Sequence, residues 1–147
     1  MSKQRLCVIP ARGGSQRIPR KNLKPFRGRP IIEWSISAAI EAGCFERIVV
    51  STDDAEITDL ALSLGAEVPF KRPDNLANHH ATTVEVVRHA IDWYENRGQS
   101  LHSVCCLYAT APFISAEDLI NAFNLLGQSS STNFVFTATS FPYPCLL

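Results

Sequence analysis

The amino-acid sequence predicts an α/β fold in which a mostly parallel sheet carries helices on both faces. Short apolar runs typical of buried strands alternate along the chain with segments whose apolar residues recur at helical spacing. Such alternation favours parallel strands, because each helix returns the chain to the edge of the sheet where the previous strand began. The chain has 147 residues, of which 46% are hydrophobic and 19% charged, so we expect one domain over residues 1–147.

The first predicted strand, Leu6–Ile9, leads into a loop from Ala11 to Lys24 that is rich in glycine and basic residues. Gly13 and Gly14 have no Cβ, so they let the backbone turn sharply and bring N–H groups against a ligand. This loop also contains the hydroxyl of Ser15 and the cationic side chains of Arg12, Arg17, Arg20 and Lys21. Cations around backbone N–H groups suit a polyphosphate. A solvated loop or a contact with nucleic acid is the alternative, since neither the Walker A nor the dinucleotide pattern is present.

Residues 30–40 predict the first helix, with Pro30 in its first turn and Gly43 after its end. We expect Trp34 to lie in the core. The apolar stripe of the helix recurs at every fourth position: Ile32, Ile36 and Ile40.

A second buried strand is predicted at Arg47–Thr52, and the helix after it ends at Leu64. Asp53 has Glu56 three residues later, which is the spacing of a capping box at a helix N-terminus. Asp53 and Asp54 also follow the carboxyl end of a strand, where α/β sheets bind their ligands. An alternative in which this pair faces a metal ion therefore stays open.

The segment Glu67–Phe70 predicts a short edge strand because of its proline, and Lys71–Ala81 predicts a long loop. Loops of that length in a compact domain are often functional. Thr82 and Glu85 form a capping-box pattern that opens a helix running through Asn96. That helix is expected to bury Val84, Val87, Ala90, Ile91 and Tyr94.

The C-terminal part begins with a predicted strand at His102–Leu107 and a loop at Tyr108–Phe113. Ser115 and Asp118 have the spacing that caps a helix, which ends at Gly127. The remaining predicted elements are a turn at 129–131, a strand at Asn133–Thr139 and an extended segment at 140–144.

The loops Ala11–Lys24, Lys71–Ala81 and Tyr108–Phe113 all follow the carboxyl ends of predicted strands. In an open α/β sheet that placement brings them around one crevice, where ligands bind. Arg72 can then donate a fork of hydrogen bonds to a phosphate or to a base carbonyl. A surface ion pair between Arg72 and Asp74 is the alternative.

The formal net charge is zero, but nine of the 14 Lys and Arg residues lie between Lys3 and Arg29. The positive charge at this end of the sequence therefore acts locally and is not a property of the whole protein. No aromatic platform interleaves with these cations, which makes a nucleic-acid-binding module the least favoured class. The apolar runs are too short to span a membrane, and the N-terminus lacks the long apolar segment of a signal peptide. Five cysteines without Cys-x-x-Cys spacing favour reduced thiols, so we expect a cytoplasmic protein.

The run Pro10–Ile18, followed by Lys21 and Asn22, resembles the signature of the nonulosonic-acid cytidylyltransferases, the CMP-sialic acid synthetase family. Within that family, Arg17–Phe26 looks most like the pseudaminic acid branch. The resemblance implies a Rossmann-like, GT-A-like nucleotidyltransferase fold. It implies transfer of CMP from CTP to a nine-carbon keto-sugar acid, with release of pyrophosphate, for surface glycan or flagellin glycosylation. It also implies Mg²⁺ as cofactor and a homodimer for full-length relatives.

The same resemblance implies roles for individual residues. Arg12 and Lys21 would be catalytic, because they neutralise the charge that grows on the leaving pyrophosphate. Tyr108 and Thr110 would contact the acceptor sugar. The nucleotide-binding set would be Ala11, Arg12, Gly13, Gly14, Ser15, Arg17, Lys21, Asn22, Arg72, Ala81 and Thr83.

The chain departs from the family pattern at three places. Tyr108 stands where sialic acid relatives carry glutamine, which favours the pseudaminic branch; the same reaction on N-acetylneuraminic or legionaminic acid is the alternative. Asn78 and His79 replace the acidic pair that is usual in that branch. The magnesium-binding aspartates and the dimerisation segment of the family would lie beyond Leu147. We therefore expect a C-terminally truncated chain, with a nucleotide-binding remnant without catalysis as a further alternative.

Overall fold

A three-stranded parallel sheet lies at the centre of the fold, in a computed structural model that describes residues 4–128 and 131–140. The strands are β1 (Gln4–Pro10), β2 (Pro25–Phe26), β3 (Arg29–Pro30), β4 (Arg47–Ser51) and β5 (Leu101–Cys106). The helices are α1 (Ile31–Ala42), α2 (Ala55–Ser63), α3 (Asp74–Ala77), α4 (Thr83–Glu95) and α5 (Ala116–Gly127), with a 3₁₀ turn at Lys21–Leu23.

The strand β1 occupies the middle of the sheet, in the order β4-β1-β5. Leu6 pairs with Arg47 on one side and with Val104 on the other, and both pairings are parallel. Residues Leu6 to Ile9 are fully buried, because β1 has helices over both of its faces. This two-sided burial explains why the strand is a continuous apolar run and shows no alternation with polar residues.

Helices cover both faces of the sheet, which confirms the predicted α/β layering. On one face, Cys7 and Ile9 pack in a core cluster with Ile36 of α1, Ile57 of α2 and Leu119 of α5. The other face carries α4. Its core cluster joins Leu6 and Val8 of β1 with Val49, Ala90 and Tyr94.

A small hairpin follows the 3₁₀ turn. Its strands β2 and β3 are joined by Arg27 and Gly28, whose φ angles of 50° and 81° are both positive, as in a type I′ turn. Trp34 of α1 packs against this hairpin: its Nε1 donates to the Phe26 carbonyl at 3.0 Å, and the Arg29 guanidinium lies 3.8 Å from its ring centroid. Trp34 is therefore half-buried under the hairpin and does not lie in the central core.

Two helix starts agree with their sequence signals. Thr82 and Glu85 form a complete capping box at the start of α4, and Ser115 with Asp118 forms another at the start of α5. The start of α2 differs from the prediction. Asp54, and not Asp53, caps this helix, and its Oδ1 accepts from the Ile57 backbone N at 3.0 Å.

The buried faces of two helices differ from the predicted stripes. Ile40 at the end of α1 is 44% exposed, because a strict four-residue repeat drifts off the core face of a helix with 3.6 residues per turn. Val84 in the first turn of α4 is 67% exposed, whereas Val86, Ala90 and Tyr94 are buried.

Two predicted strands are wrong. In the segment Glu67–Phe70 only Glu67 joins the sheet, through a single parallel bridge to Val49, after which the chain leaves the ladder at its proline. Residues 133–139 form no strand, and Phe134 and Phe136 are each 75% exposed. Without a neighbouring strand, the apolar residues of this segment have no sheet face to join. Residues 129–130 and 141–144 of the predicted turn and extended segment lie outside the described residues.

The predicted loop Lys71–Ala81 contains one helical turn, α3, which begins directly after Pro73. Proline favours the first positions of a helix because its φ is already helical. Within the part of the chain that the structure describes, no helix has the length and apolar character needed to cross a bilayer.

Candidate functional site

A cavity lies at the carboxyl ends of β1 and β5, where the three predicted loops meet. The lining confirms that the loops share one crevice. It consists of Pro10, Arg12, Ser15, Lys21, Asn22, Arg72, Leu76, Asn78, His79, Ala81, Thr83, Val86, Tyr108, Ala109 and Thr110.

The charge of this lining is entirely of one sign. The basic side chains of Arg12, Lys21 and Arg72 line the cavity together with His79, whereas no Asp or Glu lines it among the described residues. A concave surface with this balance attracts anions and can hold several negative charges at once.

Arg12 is fixed between the first two loops. Its Nη1 donates to the Asn78 carbonyl at 2.7 Å, and its own carbonyl accepts from Asn22 Nδ2 at 3.0 Å. Asn22 is itself buried. The second loop thus holds the Arg12 guanidinium, whereas Asn22 of the first loop holds the Arg12 backbone.

The glycine loop is also tied to the end of β4. The Ala11 N–H donates to the Ser51 carbonyl, and the Gly13 N–H donates to Asp53 Oδ1, both at 2.9 Å. We expected the Gly13 N–H to face a ligand, but the Asp53 carboxylate occupies it. A Cβ at position 13 would lie 2.6 Å from Asp54 Oδ2, whereas a Cβ at Gly14 would meet nothing within 4 Å.

Arg72 is 3% exposed, so the predicted surface ion pair with Asp74 is wrong. Its Nε donates to Ser51 Oγ at 3.1 Å, and its Nη2 donates to the Ser51 carbonyl. Burial lowers the pKa of Arg72 to about 10; the negative charge of Asp53 opposes this shift and the positive charge of Arg12 adds to it. Arg72 therefore remains a cation at neutral pH.

The second loop is organised by Asn78. Its Oδ1 accepts from the backbone N of His80 at 2.8 Å and of Ala81 at 3.0 Å. The rings of His79 and His80 contact each other at a tilt of 41°, with centroids 3.8 Å apart. The capping box that follows fixes the path of Thr83 into α4, and its hydrogen bonds from Thr82 lower the pKa of Glu85.

The third loop brings Tyr108 and Thr110 to the cavity. The carbonyl of Tyr108 accepts from Ser35 Oγ of α1 at 2.8 Å, which anchors the backbone of the loop. The Tyr108 side chain is 58% exposed. Its hydroxyl is therefore open to solvent, beside the cationic part of the cavity.

Nine of the predicted site residues line the cavity, and four do not. Those outside its lining are Ala11, Gly13, Gly14 and Arg17. The lining residues that sequence reasoning missed are mostly apolar: Pro10, Leu76, Val86 and Ala109, together with the polar pair Asn78 and His79. An apolar wall residue has no chemical signature, and only its place next to a strand end or a capping motif could have indicated it.

The described residues do not offer a complete metal site. No group of three or more His, Cys, Asp and Glu side chains among residues 4–128 and 131–140 is arranged to hold an ion. The Asp53 carboxylate accepts from Gly13, and that of Asp54 binds Arg20 and caps α2. The capping interpretation therefore holds for Asp54, while a magnesium site formed elsewhere stays a prediction.

Comparison with known proteins agrees with this geometry. A family model described as cytidylyltransferase matches residues 6–141. The chain is 47% identical over 139 residues to a pseudaminic acid cytidylyltransferase of Campylobacter jejuni, covering 95% of this chain and 60% of that protein. It is 38% identical over 117 residues to a CMP-N,N'-diacetyllegionaminic acid synthase of Legionella pneumophila, covering 80% of this chain and 50% of that synthase.

Among solved structures, the chain matches a CMP:2-keto-3-deoxy-manno-octonic acid synthetase complexed with CTP. The TM-score is 0.68 and the identity 23%, over 88% of this chain and 49% of the other. A 4-diphosphocytidyl-2C-methyl-D-erythritol synthase gives a TM-score of 0.66 at 14% identity, over 88% of this chain and 57% of the synthase. These structures share the nucleotidyltransferase fold. The chain spans about three fifths of the length of its curated Campylobacter relatives.

Proposed function

Because this chain belongs to the cytidylyltransferase family, we propose that it forms the nucleotide-binding part of an enzyme that transfers CMP from CTP to pseudaminic acid. A hydroxyl oxygen of the sugar acid would attack the α-phosphorus of CTP. The bond from that phosphorus to the bridging oxygen would break, and pyrophosphate would leave with the electron pair. The hydroxyl proton would pass to solvent or to a base.

The observation that carries this proposal is the cavity, which is lined by the cations Arg12, Lys21 and Arg72 and by no carboxylate among the described residues. A nucleoside triphosphate brings several negative charges, and phosphoryl-type transfer depends mainly on positioning and charge neutralisation. Arg12 and Lys21 would neutralise the leaving pyrophosphate. Mg²⁺, when bound, would neutralise further charge on the phosphates, although the described residues give it no complete site. We propose both the use of Mg²⁺ and the homodimer from the family resemblance.

The two other loops would hold the remaining parts of the substrates. Arg72, Ala81 and Thr83 line the cavity beside Arg12 and would contact the cytidine. Tyr108 and Thr110 would contact the acceptor sugar. The higher identity to the pseudaminic acid enzyme than to the legionaminic acid enzyme supports pseudaminic acid as acceptor.

Calorimetric titration with CTP, ATP and GTP tests the nucleotide part of the proposal. We expect CTP to bind more tightly than either purine nucleotide. Lys21→Ala should weaken CTP binding about 10- to 100-fold, since a charged hydrogen bond contributes about 1.5–3 kcal/mol. Lys24→Ala is the matched control, because Lys24 lies in the same loop and does not line the cavity. Equal affinity for ATP and CTP, or equal loss in both variants, would contradict the proposal.

A pyrophosphate-release assay with CTP, Mg²⁺ and a panel of nonulosonic acids tests the acceptor. The largest release is expected with pseudaminic acid, for a chain extended through the full length of its relatives. A larger release with N-acetylneuraminic or legionaminic acid would overturn the choice of acceptor and leave the nucleotide assignment standing.

A further inference from the structure

We propose that Asp53 and Asp54 are positioning residues that hold the glycine loop, residues 11–24, in the shape needed to bind phosphates. Neither aspartate lines the cavity. They would act through the loop, which supplies Arg12, Ser15 and Lys21 to the lining. The inference rests on the proposed function, because it concerns the loop that would hold the triphosphate.

Asp53 anchors the front of the loop. Its Oδ1 accepts from the Gly13 N–H at 2.9 Å, and Gly13 lies between Arg12 and Ser15, which both line the cavity. Two residues earlier, the Ala11 N–H donates to the Ser51 carbonyl at the end of β4. The backbone is therefore anchored on both sides of Arg12, by Ser51 and by Asp53. These two hydrogen bonds fix the direction in which the Arg12 side chain points.

Asp54 anchors the rear of the loop through Arg20. Arg20 Nη1 donates to Asp54 Oδ2 at 2.7 Å, and Nη2 donates to Asp54 Oδ1 at 3.2 Å. Arg20 also donates to Glu56, and its φ is 52°, in the left-handed region. The next residue is Lys21. Because Asp54 and Glu56 hold the Arg20 guanidinium, they also fix the position of the backbone from which the Lys21 side chain extends.

The alternative is that both aspartates serve only the stability of the fold, since Asp54 also caps α2. The two roles differ in what they do to ligands of different phosphate content. A general loss of stability weakens CTP, CMP and cytidine alike. A displaced glycine loop weakens CTP most and cytidine least, because cytidine would depend on Arg72 and Ala81 of the second loop and on Thr83 of α4.

The experiment compares Asp53→Ala with Asp53→Asn, whose amide oxygen can still accept from Gly13. Asp59→Ala is the control, because it removes one carboxylate from an exposed position on α2. Calorimetry with CTP, CMP and cytidine should show a loss of CTP affinity of about tenfold in Asp53→Ala. In the same variant the affinity for cytidine should fall less than about threefold. In Asp53→Asn the CTP affinity should stay within about threefold of wild type, and in Asp59→Ala it should not change.

Amide hydrogen exchange supplies a measurement that does not need CTP to bind. Exchange at Gly13 and along the loop should become about tenfold faster in Asp53→Ala and stay unchanged in Asp59→Ala. Unchanged exchange in Asp53→Ala, or an equal loss for all three ligands, would overturn the positioning role. Failure of the wild-type chain to bind CTP would instead refute the proposed function, while the exchange data would still decide whether the aspartates order the loop.

Discussion

Replacing Gly13 by alanine is expected to destabilise the protein, whereas the same change at its neighbour Gly14 is not. The new methyl group at position 13 would lie 2.6 Å from Asp54 Oδ2 and 2.9 Å from Asp54 Cβ, closer than unbonded atoms can approach. Asp54 cannot simply rotate away, because its carboxylate caps α2 and binds Arg20. Either the aspartate or the loop must move.

The expected size follows from three contributions. Overpacking of a tight contact costs about 1–3 kcal/mol. Lengthening the bond from the Gly13 N–H to Asp53 adds up to about 1.5 kcal/mol. Alanine restricts the unfolded chain and returns about 0.4–1 kcal/mol. At the middle of these ranges the sum is a net loss of about 2 kcal/mol for Gly13→Ala, whereas Gly14→Ala, with open space around the new methyl group, should be neutral or slightly stabilising.

Urea denaturation followed by circular dichroism measures the free energy of unfolding of both variants. Neither glycine has a positive φ, so backbone strain does not distinguish them and the comparison isolates the contact with Asp54. A Gly13→Ala variant as stable as Gly14→Ala would refute the close approach of the loop to α2.

Three further predictions concern single side chains. Arg72→Lys should weaken CTP binding about tenfold by calorimetry, because an ammonium cannot form the fork of a guanidinium; Arg88→Lys on α4 is the control, and equal loss in both would contradict a role for Arg72. Thr82→Ala should lower the free energy of unfolding by about 1 kcal/mol through loss of the helix cap, measured by urea denaturation, and an unchanged value would refute the capping box. The hydrogen bond from Arg5 lowers the pKa of Glu46 from 4.5 to about 2, so its stabilising effect is complete above about pH 4.5 and is lost as the pH falls towards 2. The melting temperature of Glu46→Gln should therefore lie below that of wild type at pH 7 and approach it at pH 3, and a difference independent of pH would contradict the shift.

The parts of the fold that were predictable from sequence are those with local signals. The capping boxes at Thr82 and Ser115 need only the four residues that form them, and both are present. The strand β1 was predictable from an apolar run alone. The meeting of the first and third loops followed from strand topology, since the carboxyl ends of parallel strands lie at one edge of the sheet. The second loop joins them although the strand predicted before it does not form.

Other features depend on partners that are distant in sequence. Asp53 has the right spacing for a helix cap, but Gly13 takes its carboxylate and leaves the cap to Asp54. Arg72 resembles a surface residue until the positions of Ser51 and Asp53 are known, because the hydrogen bonds to Ser51 and the charge of Asp53 compensate for its burial. The segment 133–139 has the composition of a strand, but a strand also requires a pairing partner, and this segment pairs with none of the described strands.

The position of β1 also has a consequence for how the protein folds. It precedes the other strands of the sheet in sequence, yet it is the central one, and its partners begin only at Arg47 and Leu101. Both pairings require long stretches of chain to close into loops, which makes folding slow compared with that of a helical bundle. Until β5 has left the ribosome, the apolar run from Leu6 to Ile9 lacks one neighbour and can associate with other nascent chains. The residues that lead directly into the glycine loop are thus among those that complete their pairing late in synthesis.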